Sequence, residues 1–145
     1  GHGSDGLHRF NRFCTNRVNH HPFIERYLHT YFTEMNGQEV YKFAVTKVPQ
    51  CIMEVLEQGN VTAEEVKYFI LHQANMRIIQ SVAKRLKVSE DKFPISLDTC
   101  GNVSAASIPI LLDKVNKEGL LKRGDKLVLA GFGGGLTWGA TVIEW

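Results

Sequence analysis

The chain has 145 residues, of which 43% are hydrophobic, and its formal net charge at pH 7 is +2. This length and apolar content suffice for one globular domain with a buried core. The nearly balanced charge gives no electrostatic reason to expect a nucleic acid or membrane partner. No apolar stretch reaches the ~20 residues that a bilayer-spanning helix needs. We therefore expect neither nucleic acid nor a membrane among its partners.

The three cysteines are odd in number and widely spaced, and no CxxC pair is present. This usage argues against a disulfide framework or a zinc site and favours a reducing compartment. We expect no bound metal. The expected location is the cytoplasm, or a plastid if the source is eukaryotic.

The chain divides into three parts before any element is assigned. Residues 1–4 resemble an expression remnant and are left out of the fold prediction. Residues 5–22 carry mixed charge and little periodicity, which predicts an irregular N-terminal segment. The domain itself is expected to span residues 23–145. It begins with an aromatic-rich stretch, residues 23–35, that is compatible with an extended segment.

The next pattern predicts a long helix. Apolar residues recur at helical spacing over residues 39–58, and Gly59 closes the pattern. Pro49 lies inside it, lacks an N–H and crowds the preceding turn, so we expect a kink or a late start. Residues 62–65 resemble a capping box, and a short helical turn is expected to follow.

The rest of the chain alternates between two periodicities. Strands are predicted at residues 66–71, 93–97, 126–130 and 137–145, and helices at residues 75–86 and 104–117. This alternation predicts an α/β fold with a mostly parallel sheet covered by helices. The last two strands, on either side of the glycine run 131–135, are expected to form an antiparallel pair.

Three of the predicted strands end in polar or glycine-rich segments. His72 follows the first, Asn102 follows the second through a short loop, and the glycine run 131–135 follows the third. Groups at the carboxyl ends of neighbouring parallel strands converge on one edge. An imidazole, a carboxamide and bare backbone N–H groups can together stabilise an oxygen that becomes negative in a transition state. Taken singly, each is more often a structural histidine, a turn or a tight hairpin.

Three motifs, in this order, carry a more specific signal: HQAN at residues 72–75, GNVSAAS at 101–107 and GFGGGLTWG at 131–139. Together they closely resemble the C-terminal half of β-ketoacyl-acyl carrier protein synthase III, a condensing enzyme of the thiolase fold. The resemblance extends from about Met35 to the C-terminus. It implies that the chain forms one half of the duplicated thiolase-like fold.

The resemblance also implies an activity. In that family an acyl-CoA, commonly acetyl-CoA, acylates a cysteine and then undergoes decarboxylative Claisen condensation with malonyl-acyl carrier protein, which starts fatty acid synthesis. No cofactor is implied beyond these substrates. By the motif match His72 and Asn102 take the catalytic histidine and asparagine roles, and the backbone N–H of Gly134 serves as second oxyanion donor. Phe132 is expected to pack over the catalytic centre.

Binding residues follow from the same match. Asn75 is expected to contact the pantetheine arm, and Gly37 to let that arm pass close to the backbone, although Gln38 departs from the asparagine expected beside it. Positive charge near the tunnel mouth would steer the acidic carrier protein. The residues expected to dock it, unless they form an ordinary solvated face, are Arg77, Lys84 and Arg85.

The nucleophilic cysteine of the family lies in the other half of the fold, and no cysteine here occupies a matching motif. Cys100 is close to Asn102 in sequence but is expected to be a small buried filler. The fragment alone is therefore expected to be inactive. Its expected partners are the missing N-terminal half carrying the cysteine, acyl carrier protein and acyl-CoA. The intact protein is expected to be a homodimer.

Three other interpretations stay open. The chain could belong to another thiolase-fold condenser that makes a polyketide or a specialised product. The glycine run could bind a nucleotide phosphate, although it lacks the Lys-Ser/Thr ending of a P-loop. The fragment could also serve only for dimerisation.

Overall fold

A computed structural model of the chain describes residues 13–17 and 35–145. The elements in order are β1 (Phe13–Arg17), α1 (Gly37–Gly59), β2 (Val66–Leu71), α2 (Met76–Leu86), α3 (Leu97–Cys100), α4 (Ser107–Lys117), β3 (Lys126–Gly133) and β4 (Thr137–Glu144). Short 3₁₀ turns at Glu90–Lys92 and Ser104–Ala106 precede α3 and α4. Within the described ranges, no helix combines the length and the apolar character that a membrane crossing requires.

The described strands form one mixed sheet in the order β1-β4-β3-β2. The β2–β3 pair is parallel, and the β3–β4 and β1–β4 pairs are antiparallel. The predicted antiparallel C-terminal pair is confirmed, but in the described part of the chain only one of the three pairs is parallel. The prediction of an irregular segment over residues 5–22 is wrong for Phe13–Arg17, which forms the edge strand β1. The extended segment predicted at residues 23–35 lies outside the described residues except for Met35.

Alternate residues of the central strands pack on opposite faces of the sheet, as the two-residue period of a strand requires. On one face Val128 and Ala130 join the larger core, which is built with α1 and α2. On the other face Leu127 packs against α4, through Leu111 and Val115. The carboxyl end of β2 therefore lies between two helical layers.

Helix α1 begins earlier than expected. The side chain of Asn36 caps it by accepting a hydrogen bond from the N–H of Glu39 (3.3 Å), and Asn60 ends it in the left-handed conformation. The helix continues through the buried Pro49, so the late start predicted there is wrong. Buried contacts along this face outweigh the hydrogen bond that proline cannot make.

The predicted strand at residues 93–97 is wrong. Phe93 is buried and stacks on Phe69 with ring centroids 4.9 Å apart. The backbone beyond it bonds to side chains instead of a neighbouring strand: Lys114 Nζ donates to the carbonyl of Ile95 (3.0 Å), and the N–H of Ser96 donates to Gln73 Oε1 (3.0 Å). These bonds satisfy polar groups that a strand ladder would otherwise pair.

Candidate active site

His72 stands where β2 ends. Its backbone N–H donates to the carbonyl of Ala130 (2.9 Å), which continues the parallel pairing with β3 by one residue. The half-buried imidazole places Nδ1 2.6 Å from Ser107 Oγ on α4. Its ring meets the Phe132 ring edge-on, with centroids 5.2 Å apart and an interplanar angle of 71°. Contacts from β3 and α4 thus fix the orientation of the imidazole.

The environment of His72 also fixes its charge. Burial lowers the pKa of His72 below its ordinary value of 6.5, because a desolvated imidazolium is disfavoured. The side chain is consequently a neutral hydrogen-bonding group at pH 7. A neutral N–H donor suits an oxygen that gains charge only during reaction.

Gln73 forms hydrogen bonds that hold the backbone around His72 in place. The side chain is fully buried; its Nε2 donates to the carbonyl of Leu71 (3.0 Å) and its Oε1 accepts from the N–H of Ser96 (3.0 Å). Its backbone N–H donates to Ser107 Oγ (3.2 Å). One residue therefore ties the end of β2 to the segment before α3 and to the first turn of α4.

Asn102 lies in the exposed loop between α3 and the 3₁₀ turn that precedes α4. The loop turns at Gly101, whose φ of 64° favours glycine. Asn102 Oδ1 accepts the N–H of Ser104 (3.0 Å), which leaves the amide NH₂ group to donate to a ligand. Five residues further on, Ser107 contacts His72, whereas the side chain of Asn102 is held, within the described residues, by its bond to Ser104.

The glycine motif contributes differently at each position. A Cβ at Gly131 would stand 3.3 Å from Ile108 Cδ1 and 3.9 Å from His72 Cβ, so glycine allows β3 to lie close to both. Gly134 is exposed in the turn between β3 and β4, and no atom lies within 4 Å of a Cβ built there. Gly135 has a φ of 117°, which L side chains rarely adopt. Phe132, between these glycines, contacts both His72 and Phe43.

The residues expected to bind the pantetheine arm lie at helix starts. Asn75 caps α2, since its Oδ1 accepts the N–H groups of Arg77 (2.8 Å) and Ile78 (3.3 Å). Only its amide NH₂ group is left for a ligand. Gly37 is the first residue of α1 and is exposed, and the space where its Cβ would stand is open.

The three basic residues of α2 are all exposed but do not share one face. Arg77 and Lys84, seven residues apart, lie on the same side of the helix and line an open groove with Tyr41 of α1. Tyr41 Oη and Ser81 Oγ, 2.9 Å apart, join the two helices within this groove. Arg85 lies about 100° further around the helix and is not part of the groove lining.

The cysteines show one error in the sequence prediction. Cys100 is exposed at the end of the four-residue helix α3, with its sulfur 3.6 Å from Thr99 Oγ1. The expectation of a buried filler is therefore wrong, because α3 and the following loop cross the surface instead of forming a strand. Cys51 is buried in α1.

Two residues that matter to the site were not assigned a role from the sequence. Ser107 and Gln73 both lie inside the motifs used for the resemblance, but only the structure joins them to His72. The available sequence signal is a second polar residue, Gln73, directly after His72 at the end of an apolar strand. It does not reveal which carbonyl or N–H the side chain reaches.

Comparisons with known proteins identify the family of the chain. A family profile described as 3-oxoacyl-[acyl-carrier-protein] synthase III C terminal matches residues 56–145. β-Ketoacyl-[acyl-carrier-protein] synthase III of Clostridium novyi is 55% identical over 111 residues, covering 77% of this chain and 34% of the relative. The enzyme of the same name from Clostridium acetobutylicum is 47% identical over 146 residues, covering 99% of this chain and 44% of the relative.

Solved structures extend the agreement to three dimensions. The 3-oxoacyl-[acyl-carrier-protein] synthase III of Aquifex aeolicus is 36% identical with a TM-score of 0.85, covering 99% of this chain and 46% of that one. The Thermus thermophilus synthase III is 32% identical with a TM-score of 0.86, covering 100% of this chain and 48% of that one. These neighbours confirm the predicted thiolase-like half-fold.

The chain belongs to the family of 3-oxoacyl-[acyl-carrier-protein] synthase III C-terminal domains. The resemblance drawn from the three motifs is thereby confirmed. The chain spans less than half the length of the relatives and solved structures described above.

Proposed function

We propose that this chain is the C-terminal half of a β-ketoacyl-acyl carrier protein synthase III, which condenses an acyl-CoA, such as acetyl-CoA, with malonyl-acyl carrier protein. The observation that carries the proposal is the neutral, half-buried His72, oriented by Ser107 and Phe132 at the carboxyl end of β2. Parallel α/β sheets place their reacting groups at this end of the strands. The family membership of the chain agrees with this chemistry.

Decarboxylation is the step assigned to this half. The bond between the malonyl carboxylate and its α-carbon breaks, carbon dioxide leaves, and the electron pair forms an enolate whose thioester oxygen becomes negative. His72 and Asn102 donate N–H groups to that oxygen, which lowers the barrier because both donors are in place beforehand. The enolate carbon then attacks the acyl thioester, and the backbone N–H of Gly134 stabilises the oxygen of the resulting tetrahedral intermediate. Collapse of the intermediate expels the cysteine thiolate.

The nucleophilic cysteine is proposed to come from an N-terminal half that covers the α4 side of the sheet. On that side Leu129 and Ile143 are only half-buried, and Ile110 of α4 is 38% exposed. Apolar side chains gathered on one face are typical of a surface that a partner covers. The relatives' greater length supplies enough chain for such a half. The intact protein is further proposed to be a homodimer.

Acyl carrier protein is proposed to dock on α2. Arg77 and Lys84 flank the groove beside Tyr41. Neither side chain forms a salt bridge with another described residue, so both supply positive charge to the groove. Reversing the charge at Lys84 (Lys84→Glu) should raise KM for the carrier protein about tenfold and leave kcat nearly unchanged, because encounter depends on charge complementarity. Arg85→Glu is the matched comparison and should have a smaller effect. Equal effects at both positions would contradict docking in the groove.

Asn75 and Gly37 are proposed to contact the pantetheine arm, the former through its free amide NH₂ group. The proposed reaction needs no cofactor, since imidazole, amide and backbone donors can stabilise both oxygens. A cytoplasmic location is proposed; the exposed thiol of Cys100 suits a reducing compartment.

The test uses the full-length gene product with acetyl-CoA and malonyl-acyl carrier protein. The expected products are acetoacetyl-acyl carrier protein, carbon dioxide and free CoA. Mass spectrometry of the carrier protein detects the first of them. His72→Ala and Asn102→Ala should each lower the decarboxylation rate about 10²- to 10³-fold, the loss typical of a removed oxyanion donor. Gln58→Ala, an exposed amide on α1 at the other face of the sheet, is the control. Absence of the condensation product from the unmodified protein would overturn the proposal.

A further inference from the structure

We propose that Ser107 is a positioning residue that holds His72 in the tautomer with its proton on Nε2. Ser107 lies outside the proposed catalytic pair, His72 and Asn102. Its consequence for catalysis rests on the proposed function, whereas the tautomer itself follows from the hydrogen bonds around Ser107 and can be measured separately.

Ser107 is the first residue of α4 and is fully buried. In the described part of the chain its Oγ has two hydrogen-bond partners: the backbone N–H of Gln73 at 3.2 Å and Nδ1 of His72 at 2.6 Å. The first partner is always a donor, because a backbone N–H carries a hydrogen and no free lone pair. Ser107 Oγ therefore accepts from Gln73.

The hydroxyl proton of Ser107 then needs an acceptor. Among the described residues the other group bonded to Oγ is His72 Nδ1, and it can accept only when it carries no proton. A neutral imidazole holds one ring proton, so that proton lies on Nε2. The opposite tautomer would direct two N–H donors at Oγ and leave the buried hydroxyl proton without a partner, which is strongly disfavoured.

Two further observations agree with this assignment. The bond is short, as expected when a buried hydroxyl donates to an aromatic nitrogen. Burial keeps His72 neutral by lowering its pKa, and only the neutral ring has distinct tautomers.

The tautomer decides what His72 can offer a substrate. Nδ1 is turned toward α4 and occupied by Ser107, so Nε2 on the opposite side of the ring is the nitrogen available to a ligand. With its proton on Nε2, His72 donates to the thioester oxygen; with the proton on Nδ1, it would present a lone pair to an oxygen gaining negative charge. Ser107 thus acts through His72 and touches no reacting atom.

The direct test is nitrogen NMR of the full-length protein labelled with ¹⁵N in the histidine rings. His72 is assigned by the signals lost in His72→Gln. The proposal expects Nε2 to show a directly bonded proton and Nδ1 to resonate far downfield, as an unprotonated ring nitrogen does. A proton found on Nδ1 in the unmodified protein would overturn the proposal, whether or not any variant folds.

Variants then isolate the hydroxyl. Ser107→Ala should give a mixture of tautomers at His72, and Ser107→Thr, which keeps a hydroxyl, should retain the Nε2 proton. The matched control is Ser96→Ala: Ser96 is also fully buried, its Oγ has no hydrogen-bond partner among the described residues, and its backbone bond to Gln73 remains. The control should leave the His72 signals unchanged. Unchanged His72 signals in Ser107→Ala would contradict the proposal.

Kinetics test the catalytic consequence. Ser107→Ala should lower kcat for malonyl decarboxylation about 10- to 100-fold with little change in KM, by analogy with the loss when the partner that orients a metal-bound histidine is removed. Ser107→Thr should recover most of that activity. If the protein shows no synthase activity but the Nε2 proton is present, the proposed function fails and the tautomer assignment holds. If the enzyme is active but carries the proton on Nδ1, the proposed function holds and the tautomer assignment fails.

Discussion

The two side chains expected to share one substrate oxygen are held in very different ways. His72 lies at the end of a central strand, contacts Ser107 and Phe132, and is followed by the fully buried Gln73. Asn102 lies in an exposed loop, where its one hydrogen bond within the described residues joins it to Ser104, two positions away. The histidine is thus built into the core of this chain, whereas the asparagine is held by a local bond in an exposed loop.

This difference has a physical meaning for a two-part site. An exposed donor remains hydrated, and its interaction with a charged oxygen is weak in water and stronger once water is excluded. The proposed N-terminal half would exclude water from the Asn102 loop and the turn at Gly134. Within this chain, the histidine side needs no such partner to adopt its geometry.

The largest expected effect is a loss of activity that leaves the stability of the protein nearly unchanged. In the full-length protein, Asn102→Ala should reduce malonyl decarboxylation about 10²- to 10³-fold, because one of the two proposed oxyanion donors is lost. The free energy of unfolding should change by less than about 1 kcal/mol, since the hydrogen bond of this side chain within the described residues is to a neighbour two positions away. Enzyme assays and urea denaturation on the same sample check both values. A loss of several kcal/mol would show that the loop is structurally integrated.

The reverse pattern is expected at Gln73. Gln73→Ala leaves the buried carbonyl of Leu71 and the N–H of Ser96 without their side-chain partner, and each such group typically costs about 1–3 kcal/mol. Urea denaturation of the full-length protein should therefore show a destabilisation of about 3 kcal/mol. Gln80→Ala, on the exposed face of α2, is the matched control and should change stability by less than about 0.5 kcal/mol. If Gln73→Ala does not lower stability, the proposed difference between the His72 region and the Asn102 loop is contradicted.

The smallest effect concerns pH and distinguishes the two side chains, because only the histidine titrates. The pKa of His72 is lower in the folded protein than its ordinary 6.5, so between these values the unfolded state binds more protons. The contribution of the neutral His72 side chain to the stability of the fold is fully present above pH 6.5. It is lost as the pH falls through the pKa that His72 has in the folded protein. In the pH–rate profile of decarboxylation, the fall in rate on the acid side should likewise have its midpoint below pH 6.5. A midpoint above that value would contradict a neutral, desolvated imidazole.

Much of the fold could be predicted where periodicity was strong. The strand at residues 66–71 and helix α2 were predicted within about one residue, because a buried strand and an amphipathic helix leave clear apolar patterns. The false strand at residues 93–97 shows the limit of that signal. Phe93 is buried and Ile95 is partly buried, but Lys114 and Gln73 bond the backbone of this segment from distant positions that no local pattern reveals.

The site divides in the same way. Motif order was enough to propose His72, Asn102 and Gly134 as functional positions. It could not show that Ser107 lies 2.6 Å from the imidazole, since that contact joins residues 35 positions apart. Nor could it show that Arg77 and Lys84 line a groove with Tyr41, because the groove depends on how α1 and α2 pack.

The most direct test of the central claim is a double-mutant cycle on malonyl decarboxylation in the full-length protein. If His72 and Asn102 donate to the same oxygen, the variant lacking both should lose little more than the ~10²–10³-fold lost by either alone, since groups that act as a unit are non-additive. Losses that multiply to ~10⁴–10⁶-fold would mean that the two side chains act at separate places.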